Sequence, residues 1–358
     1  MKKSVLLFSF ILIFNSLIFA QEIIENPEKP LSKNASRVIQ LKELMRIKEV
    51  SGKFYFKWAD EVKVSSDGSI YVQESGHLYE FNAAGEFIKD YYRKGEGPGE
   101  FNQNLRGFLL EDDEIIPFSS NMKKIVRIAR NGNLIEDIRP KKLFSYILAR
   151  YNSKYYFAVR EVGKYPKSTG IYNDYLKLLI TNEAGETSAT PYIFPFTVSL
   201  NVHERGFGWL YISRLLAVRK KPRYVFFSVT PEYLVNLWDL EKNTIKSFRR
   251  KYNRVRFIEM EKSPILVPKY INDICGLLIY NDNLWVLTST FLREKGLLVD
   301  VFDLEGRYLD NFYLPLLWIR MEGNIAYHFP MTIQGNYLFV VEQDEDGLIS
   351  IVKYEIID

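Results

Sequence analysis

The stretch VKVSSDGSIYVQESGHLYEFNAAGEFIKDYY, residues 62–92, contains four short alternating segments separated by turn residues. Alternation of apolar and polar residues over a few positions is typical of a half-buried β-strand. Asp67-Gly68 predicts a tight hairpin, because glycine adopts positive φ without a steric penalty. Glu74-Ser75-Gly76 and Asn82–Gly85 predict the next two turns. The stretch therefore predicts a four-stranded antiparallel meander.

The first turn of this meander recurs along the chain before further short aromatic or aliphatic runs. Its copies are Asp112-Asp113-Glu114, Asn152-Ser153-Lys154, Lys221-Pro222-Arg223, Asn281-Asp282-Asn283 and Gln334-Gly335-Asn336. Copies of one hairpin signal at intervals of roughly 40 to 70 residues indicate a radial repeat of four-stranded sheets. One such sheet cannot bury both of its faces, so neighbouring sheets must stack and close into a ring. The alternative is a pair of two-sheet sandwiches with coincidental turns.

The sixth copy supplies only three strands before the chain ends, namely Ile325–Ile333, Tyr337–Gln343 and Leu348–Ile357. We expect an N-terminal strand, within Arg37–Leu44 or Lys53–Trp58, to complete that sheet. The predicted fold is all-β, with six four-stranded antiparallel blades in one domain over residues 37–358. The approximate blades are 60–93, 104–139, 145–190, 212–250, 270–314 and 323–358, the last one with the N-terminal strand.

The composition supports this class of fold and limits the chemistry. The 358 residues are 47% hydrophobic and include 25 Phe, 24 Tyr and 5 Trp, which suits strands with a sizeable core. Only 3 His and 1 Cys are present, which excludes multi-cysteine zinc sites and disulfide frameworks. We therefore favour a binding protein over an enzyme.

The first twenty residues have the features of a cleaved secretory signal. A basic start, Met1-Lys2-Lys3, precedes the apolar run from Val5 to Phe19, and the small residue Ala20 lies at the expected cleavage point. An uncleaved anchor is the alternative. Residues 21–36 are polar with two prolines and predict a flexible lead-in. We expect an exported protein, periplasmic or extracellular, with no transmembrane span after cleavage.

The glycine-rich stretch Gly95–Phe101 follows the first meander and carries a family resemblance. Residues 62–101 resemble an NHL-type blade, and they are similar to the six-bladed β-propeller proteins exported by bacteria, in which a blade runs into a GxGPGEF stretch. Leu41–Leu44 and Phe54–Trp58 resemble the lead-in of that family. The close resemblance covers about residues 40–135 and implies a six-bladed β-propeller and an envelope location. It implies no particular activity.

The same stretch supplies the first candidate binding residues, which are Gly95, Gly97, Pro98, Gly99 and Glu100. Exposed amides in a glycine-rich loop could hold an anion or a peptide. The stretch lacks the Gly-Lys-Ser/Thr ending of a phosphate loop. The alternative is a connection between two blades that requires the backbone freedom of glycine.

His328 is a further candidate binding residue, since the inner strand predicted for the sixth blade would place it at or near the central channel. The alternative is a structural histidine with its hydrogen bonds satisfied. His77 and His203 are expected in a turn and in a long insertion. Cys275 is expected to be a buried small hydrophobe.

A calcium site is the alternative to a purely binding function. Some six-bladed propellers with lactonase or related hydrolytic activity hold calcium at the channel mouth, and the residues that could correspond are Glu61, Asn272 and Asp273. Carboxylate and amide oxygens are suitable ligands for Ca²⁺. Apart from this possible Ca²⁺, no cofactor is expected.

Two further segments could bind a partner. Thr187–Arg219 is a longer connection with Phe194-Pro195-Phe196 and Phe207–Tyr211, which could contact sugars or peptides or could form an extra hairpin or short helix. The basic run Arg249–Arg256 could be a solvated loop or a site for an anionic polymer or phospholipid headgroups. We expect no nucleic acid, because removal of Lys2 and Lys3 would lower the formal charge from +4 by two.

These observations lead to three hypotheses of function. The first is an exported module that binds a protein, peptide or glycan of the envelope through one face of the ring. The alternative is a calcium-dependent, lactonase-like hydrolase with its metal at the central channel. The third is a structural envelope protein that scaffolds its neighbours.

Overall fold

Short strands and tight turns make up the computed structural model, which describes residues 23–357 with several gaps. The gaps are 51, 53, 120–123, 141–145, 162–167, 204–205, 212–214, 221–222, 257–268, 317–320, 323–324 and 327–329. Within the described residues no helix occurs. The predicted signal segment, residues 1–20, lies outside them.

Five short strands precede the first blade. They are β1 (Ile23–Asn26), β2 (Arg37–Val38), β3 (Gln40–Ile47), β4 (Glu49–Val50) and β5 (Phe54–Tyr55). The β4 and β5 strands form a small hairpin, whereas β1, β2 and β3 each join a different blade.

The first three blades follow in chain order, each as an antiparallel meander. Blade 1 contains β6 (Ala59–Val64), β7 (Ile70–Glu74), β8 (His77–Phe81) and β9 (Phe87–Asp90). Blade 2 contains β10 (Leu105–Leu110), β11 (Glu114–Ser119), β12 (Ile125–Ala129) and β13 (Leu134–Ile138). Blade 3 contains β14 (Tyr146–Tyr151), β15 (Lys154–Glu161), β16 (Gly170–Asn182), β17 (Thr187–His203) and β18 (Gly206–Tyr211).

The other three blades each include a strand from the N-terminal segment. Blade 4 contains β19 (Leu216–Lys220), β20 (Tyr224–Ser228), β21 (Val235–Asp239), β22 (Thr244–Arg250) and β1. Blade 5 contains β23 (Ile274–Tyr280), β24 (Asn283–Leu292), β25 (Gly296–Phe302), β26 (Tyr308–Leu314) and β2. After a small hairpin of β27 (Met321–Glu322) and β28 (Ile325–Ala326), blade 6 contains β29 (Met331–Gln334), β30 (Tyr337–Gln343), β31 (Ile349–Ile357) and β3.

The six sheets close into a ring, which confirms the predicted six-bladed fold. The inner strands β6, β10, β14, β19, β23 and β29 contact one another in that order, and β29 returns to β6. A buried apolar cluster lies between each pair of neighbouring blades, including blades 6 and 1, where Val62 and Ile70 pack with Phe339 and Val341. Each blade therefore buries both faces against its neighbours.

The last blade is completed by the first of the two predicted segments. The β3 strand pairs antiparallel with β31, from Gln40 opposite Ile357 to Ile47 opposite Ile351. Of the other segment, Lys53–Trp58, Phe54 and Tyr55 pair with β4, and Phe56 forms a bridge with Ile349.

The turns predicted within residues 62–92 are found where the meander pattern placed them. Gly68 has a φ of 88° and donates its amide to the Ser65 carbonyl at 2.9 Å, while the Ser65 side chain donates to Asp67 at 2.5 Å. Glycine is required here because a side chain is strained at such a φ. The same geometry recurs with Gly85 after the third strand of blade 1.

The lead-in, residues 21–36, differs from the flexible segment that its prolines predict. We call residues 23–39 the N-terminal strap, because they follow the outer strands of blades 4 and 5. The β1 strand pairs in parallel with β22, and β2 pairs in parallel with β26. A composition rich in polar residues and proline does not reveal such pairing, since its partners lie more than 200 residues away in the chain.

Two other segments differ in detail from the expected strands. The inner strand of blade 6 begins at Met331, because Ile325 and Ala326 pair instead with Glu322 and Met321. The long segment Thr187–Arg219 extends blade 3 through β17 and β18 and then enters blade 4. Of the two structures proposed for it, the extra hairpin is therefore correct.

The ring has two faces that differ in their connections. Because the strands of each blade alternate in direction, the turns after the first and third strands share one face, which we call the hairpin face. The turns after the second strands and the connections between blades share the other face, which we call the linker face. The glycine-rich stretch, residues 95–101, joins blades 1 and 2 on the linker face.

Substitution of Gly296 by alanine is expected to destabilise the fold by about 3 kcal/mol. Its φ is 93°, and an added Cβ would lie 2.0 Å from the Leu314 carbonyl oxygen, so the backbone must shift. Gly335→Ala is the matched control, because Gly335 has a φ of 58° with no atom within 4 Å of the added Cβ. We expect it to cost only about 1 kcal/mol. Urea unfolding followed by tryptophan fluorescence tests this difference, and equal losses would contradict it.

Candidate functional site

The central channel contains a cavity of about 510 Å³ that all six inner strands line. Its wall mixes apolar and polar side chains, and each blade contributes one apolar residue, namely Val62, Leu109, Ile147, Val218, Leu278 and Met331. A small molecule could enter a space of this size. The chemistry of the channel then depends on the few charged groups in its lining.

The charged groups of the channel are compensated by protein partners. Glu61 forms an ion pair with Lys63 at 2.6 Å and accepts a hydrogen bond from the Phe108 amide at 3.3 Å. Lys63 also donates to the Phe108 carbonyl. Arg219 forms an ion pair with Glu111 and donates to a backbone carbonyl of blade 2 at 2.9 Å. Sequence reasoning missed Lys63 and Arg219, although each is a charged residue that directly follows a valine in a predicted inner strand.

The residues of the calcium hypothesis are engaged within the chain. Asp273 is buried, and its two carboxylate oxygens accept hydrogen bonds from Arg254 Nε and from the Tyr233 amide, both at 3.0 Å. The Asn272 carbonyl accepts from Cys275 Sγ at 3.7 Å, and Cys275 is half-buried. Over the described part of the chain, no group of three or more His, Cys, Asp or Glu is placed to hold a metal ion. Glu61 and Asp273 are each bound to a cationic side chain.

Asp273 nevertheless has an unusual protonation equilibrium. Burial raises the pKa of its carboxyl to about 6, and this effect is only partly opposed by the hydrogen bond and charge of Arg254. Desolvation thus outweighs the ion pair at this position. The consequence for the fold is a pH dependence with a defined sign.

The amides of the glycine-rich stretch donate to protein acceptors. The Gly97 amide donates to Glu100 Oε2 at 3.0 Å, and the Gly99 amide donates to Asp137 Oδ2 at 3.1 Å. The Gly95 amide donates to the Phe101 carbonyl at 3.0 Å. Pro98 has no amide hydrogen. These donors are therefore already used in holding the connection between blades 1 and 2.

A lysine from blade 2 also binds the glycine-rich stretch. Lys124 Nζ donates to the Gly97 carbonyl at 2.7 Å and also to the Glu100 carbonyl. It forms an ion pair with Asp137 at 2.8 Å. Phe101, at the end of the stretch, is fully buried. The contacts agree with a structural connection, and Lys124 was not evident from the sequence because it acts across 24 residues.

The histidines provide no shared site among the described residues. His77 Nδ1 lies 2.6 Å from Asp90 Oδ2, and its ring stacks on Tyr79 with a centroid distance of 5.5 Å. His328 lies outside the described residues, as does the side chain of His203.

The basic run Arg249–Arg256 is largely neutralised within the chain. Arg249 pairs with Glu25 at 2.6 Å, and Arg254 pairs with Asp273. Arg250 pairs at 2.7 Å with Asp300, which is completely buried. Arg249, Arg250 and Arg254 are thus used in ion pairs at blades 4 and 5, whereas Lys251 and Arg256 are exposed after β22.

Asp300 is the centre of a buried network that sequence reasoning missed. It accepts hydrogen bonds from the hydroxyls of Tyr233 and Tyr308, both at 2.7 Å, in addition to its pairing with Arg250. Because the buried carboxylate has a hydrogen-bond partner or ion pair on each oxygen, it links the groups around it, and this network holds blades 4 and 5 together. The sequence signal was an aspartate inside the apolar strand Gly296–Phe302.

Blade 3 presents an exposed apolar surface on an arm that extends beyond its neighbours. The pairing of β15 with β16 ends at Glu161 opposite Tyr175, whereas β16 and β17 continue together to Gly170 opposite Leu200. Ile171 lies on this arm, Tyr175 lies at its base, and Ile193 lies on the same side of the blade just before the arm begins. These side chains are 55%, 55% and 53% exposed. We call these three residues the arm patch.

The other side of the arm packs on blade 4. Leu176, Phe194 and Phe196 are buried in the cluster that contains Phe227 and Trp238. The arm is thus held firmly, and the arm patch lies along the opposite side of the same strands, with Ile171 nearest the linker face. Large apolar side chains exposed on one side of a rigid element are typical of an interaction site.

Comparison with known proteins agrees with the ring. Residues 45–200 match the model of a family described as a 6-bladed beta-propeller. The protein is a six-bladed β-propeller. No match was found among curated proteins. No described helix of this propeller has the length and hydropathy needed to cross a membrane.

Solved structures similar to the propeller differ from it strongly in sequence. A Bacteroides fragilis protein described as exported is 12% identical, with a TM-score of 0.58 over 94% of this chain and 100% of that one. The Neurospora crassa Pan2 WD40 domain is 12% identical, with a TM-score of 0.42 over 84% and 89%. Citrobacter koseri AztD is 9% identical, with a TM-score of 0.43 over 85% and 89%. At these identities the likeness concerns the fold alone.

Asp273 is expected to make the propeller less stable as the pH rises from about 4 to about 6. Its pKa is higher in the folded chain than the ordinary 3.8, so the folded state binds the proton more tightly and loses stability as the pH rises through about 6. Relative to Asp273→Asn, the loss should be about 3 kcal/mol. Urea unfolding of both proteins at several pH values measures it. Parallel pH profiles would contradict the assignment.

Substitution of Lys124 by methionine is expected to destabilise the propeller by about 2 kcal/mol, because the two carbonyls and Asp137 would lose their charged donor. Lys154→Met serves as the control, since Lys154 is exposed at the start of β15, next to the hairpin face. Urea midpoints of the two variants give the comparison. A loss no greater than that of the control would show that Lys124 does not hold the stretch.

Proposed function

We propose that this protein is an exported binding module that recognises a protein or peptide partner at the linker face. The arm patch is the observation that carries the proposal. Its three large side chains are more than half exposed, although the opposite side of the same arm is buried in the ring. Burial of such a patch by a partner would be favourable by about 25 cal/mol for each Å² of apolar area removed from water.

The chemistry of the arm patch favours a polypeptide among the predicted partners. Two of its three residues are isoleucines, which pack well against apolar side chains, whereas sugar rings are usually bound on aromatic faces. The cross-strand neighbours Pro195 and Lys177 add apolar area and one charge at its border. The hydrogen-bonded pair of Asn173 and Thr197 lies between Ile171 and Tyr175, so the surface mixes apolar and polar side chains, as protein interfaces commonly do. A glycan is therefore the less favoured partner.

The calcium-dependent hydrolase is the alternative that the geometry supports less. A hydrolase of this type needs carboxylates that are available to the metal, and Glu61 and Asp273 are bound to Lys63 and Arg254. Dialysed protein should therefore bind ⁴⁵Ca²⁺ no better than Glu61→Gln protein. Calcium retention together with turnover of a small lactone would instead favour the enzyme.

Site-specific photocrosslinking in the native envelope tests the binding proposal. A photoreactive phenylalanine in place of Tyr175 should give a discrete protein or peptide adduct, which mass spectrometry identifies. The same residue in place of Tyr337, an exposed tyrosine on the hairpin side of blade 6, is the matched control and should give none. Ile193→Ser should reduce the Tyr175 adduct about tenfold, because it removes one apolar anchor.

Three results would contradict the proposal. The first is an absence of adducts at Tyr175, and the second is equal adducts at Tyr175 and Tyr337. The third is an adduct that survives Ile193→Ser unchanged. Circular dichroism of each variant checks that the propeller is intact.

A further inference from the structure

The outer strand of blade 4 is an edge that the chain covers with its own N-terminal strap. The β1 strand adds to β22 in parallel, from Ile23 opposite Ser247 to Asn26 opposite Arg250. An uncovered strand of this kind presents a row of amide and carbonyl groups that other extended chains can join. The strap therefore occupies a surface that is suited to strand addition.

The strap is recognised mainly through charge and hydrogen bonds. Glu25 pairs with Arg249 at 2.6 Å, and this hydrogen bond lowers the pKa of the Glu25 carboxyl. Glu28 lies 3.7 Å from Lys251. Acidic residues of the strap thus face basic residues at the end of β22 and just after it. The pairing has a defined charge complementarity that any other occupant would have to match.

An asparagine fixes the register of the strap. Asn26 Nδ2 donates to the Gly306 carbonyl at 2.9 Å, and Asn26 Oδ1 accepts from the Tyr308 amide at 2.9 Å. These groups belong to blade 5, so Asn26 spans two blades. The recognised pattern is therefore an apolar residue at position 24, a carboxylate at 25, an amide at 26 and a carboxylate at 28.

Little apolar burial holds the strap in place. Ile23 is 39% exposed and Leu31 is 70% exposed. Among the strap residues, only Ile24 packs against the cluster between blades 4 and 5. The side chains of Arg249 and Glu25 are 49% and 60% exposed, and exposed ion pairs contribute little to stability. The first buried apolar anchor of the strap is Ile39. The segment before it should open before the ring unfolds.

We propose that the outer edge of blade 4 is a binding site for an extended acidic peptide of a partner protein, which displaces the strap and adds to β22. The added strand would take over the contacts of Glu25 and Asn26, with its acidic side chains on Arg249 and Lys251. The site lies on the outside of the ring and is separate from the arm patch. Its validity does not depend on the function proposed for the linker face.

The test uses the full chain and a fluorescein-labelled peptide EIIENPEKP, which reproduces residues 22–30. Asn26→Ala should weaken the strap in its own site, because it removes the hydrogen bonds to blade 5. Fluorescence anisotropy should then show at least tenfold tighter peptide binding to this variant than to the wild type. Arg249→Glu in the same background should abolish binding, whereas Lys154→Glu should leave it unchanged.

Two further measurements keep the proposal falsifiable if Asn26→Ala folds poorly. In the wild type, amide hydrogen exchange of residues 24–26 should be faster than that of Leu237 in the middle of blade 4. If the strap opens, an excess of the peptide should slow the hydrogen exchange of the β22 amides. Two results would overturn the proposal. One is slow hydrogen exchange of the strap amides, and the other is an Asn26→Ala protein that binds no peptide at a concentration of about 1 mM.

Sedimentation equilibrium separates a partner peptide from a second copy of this chain. A monomeric Asn26→Ala protein that binds the peptide supports the proposal. A dimer that Arg249→Glu dissociates would show that strands are exchanged between copies, and this would overturn the partner assignment. Substitutions at Tyr175 or Ile193 should not change peptide binding in either case.

Discussion

The pairing of β3 with β31 is the contact on which the ring depends. It joins residues 40–47 to residues 351–357, so that blade 6 combines a strand from the N-terminal segment with the three C-terminal strands. Arg46 adds an ion pair at 3.0 Å to Glu342 on β30, and Tyr354 on β31 donates to the same carboxylate at 2.6 Å. Without β3, blade 6 would have a three-stranded sheet with an open edge, and its cluster with blade 1 would lose Ile47. Closure therefore fixes the relation of all six inner strands and with it the channel.

Ring closure also explains where the charges of the chain are used. Ion pairs join neighbouring blades at several places on the hairpin face, as between Asp67 and Arg130 at 2.7 Å and between Lys246 and Glu305 at 2.7 Å. The buried pair of Arg250 and Asp300 has the same function between blades 4 and 5. Charges that look like potential sites in the sequence are thus required to match adjacent blades. The basic run Arg249–Arg256 is the clearest instance, because Arg249 pairs with Glu25 of the strap, Arg250 pairs with Asp300 of blade 5 and Arg254 pairs with Asp273.

The blades could be predicted from sequence because their information is local. A turn such as Asp67-Gly68 and the alternation on both sides of it specify a hairpin within a dozen residues, and the pattern recurs. The strap could not be predicted, since parallel pairing of four residues leaves no periodic pattern and its partners are distant. For the same reason Gly95–Phe101 could be recognised as a distinctive stretch, whereas Lys124 and Asp137, which bind its carbonyl and amide groups, could not. The candidate residues were therefore visible, but their partners were not.

The contrast between channel and arm bears most directly on function. In the channel, Glu61 and Arg219 are bound to groups of the chain itself, so a ligand would have to break an existing ion pair in order to use them. On the arm, the side chains of Ile171, Tyr175 and Ile193 are already in contact with water, and a partner gains from covering them without breaking a contact within the propeller. Phe194 and Trp238 fix the buried side of the arm, so the arm is already ordered in the folded protein. A partner therefore does not have to order it on binding. A rigid apolar surface of this kind favours association with another chain over chemistry in the channel.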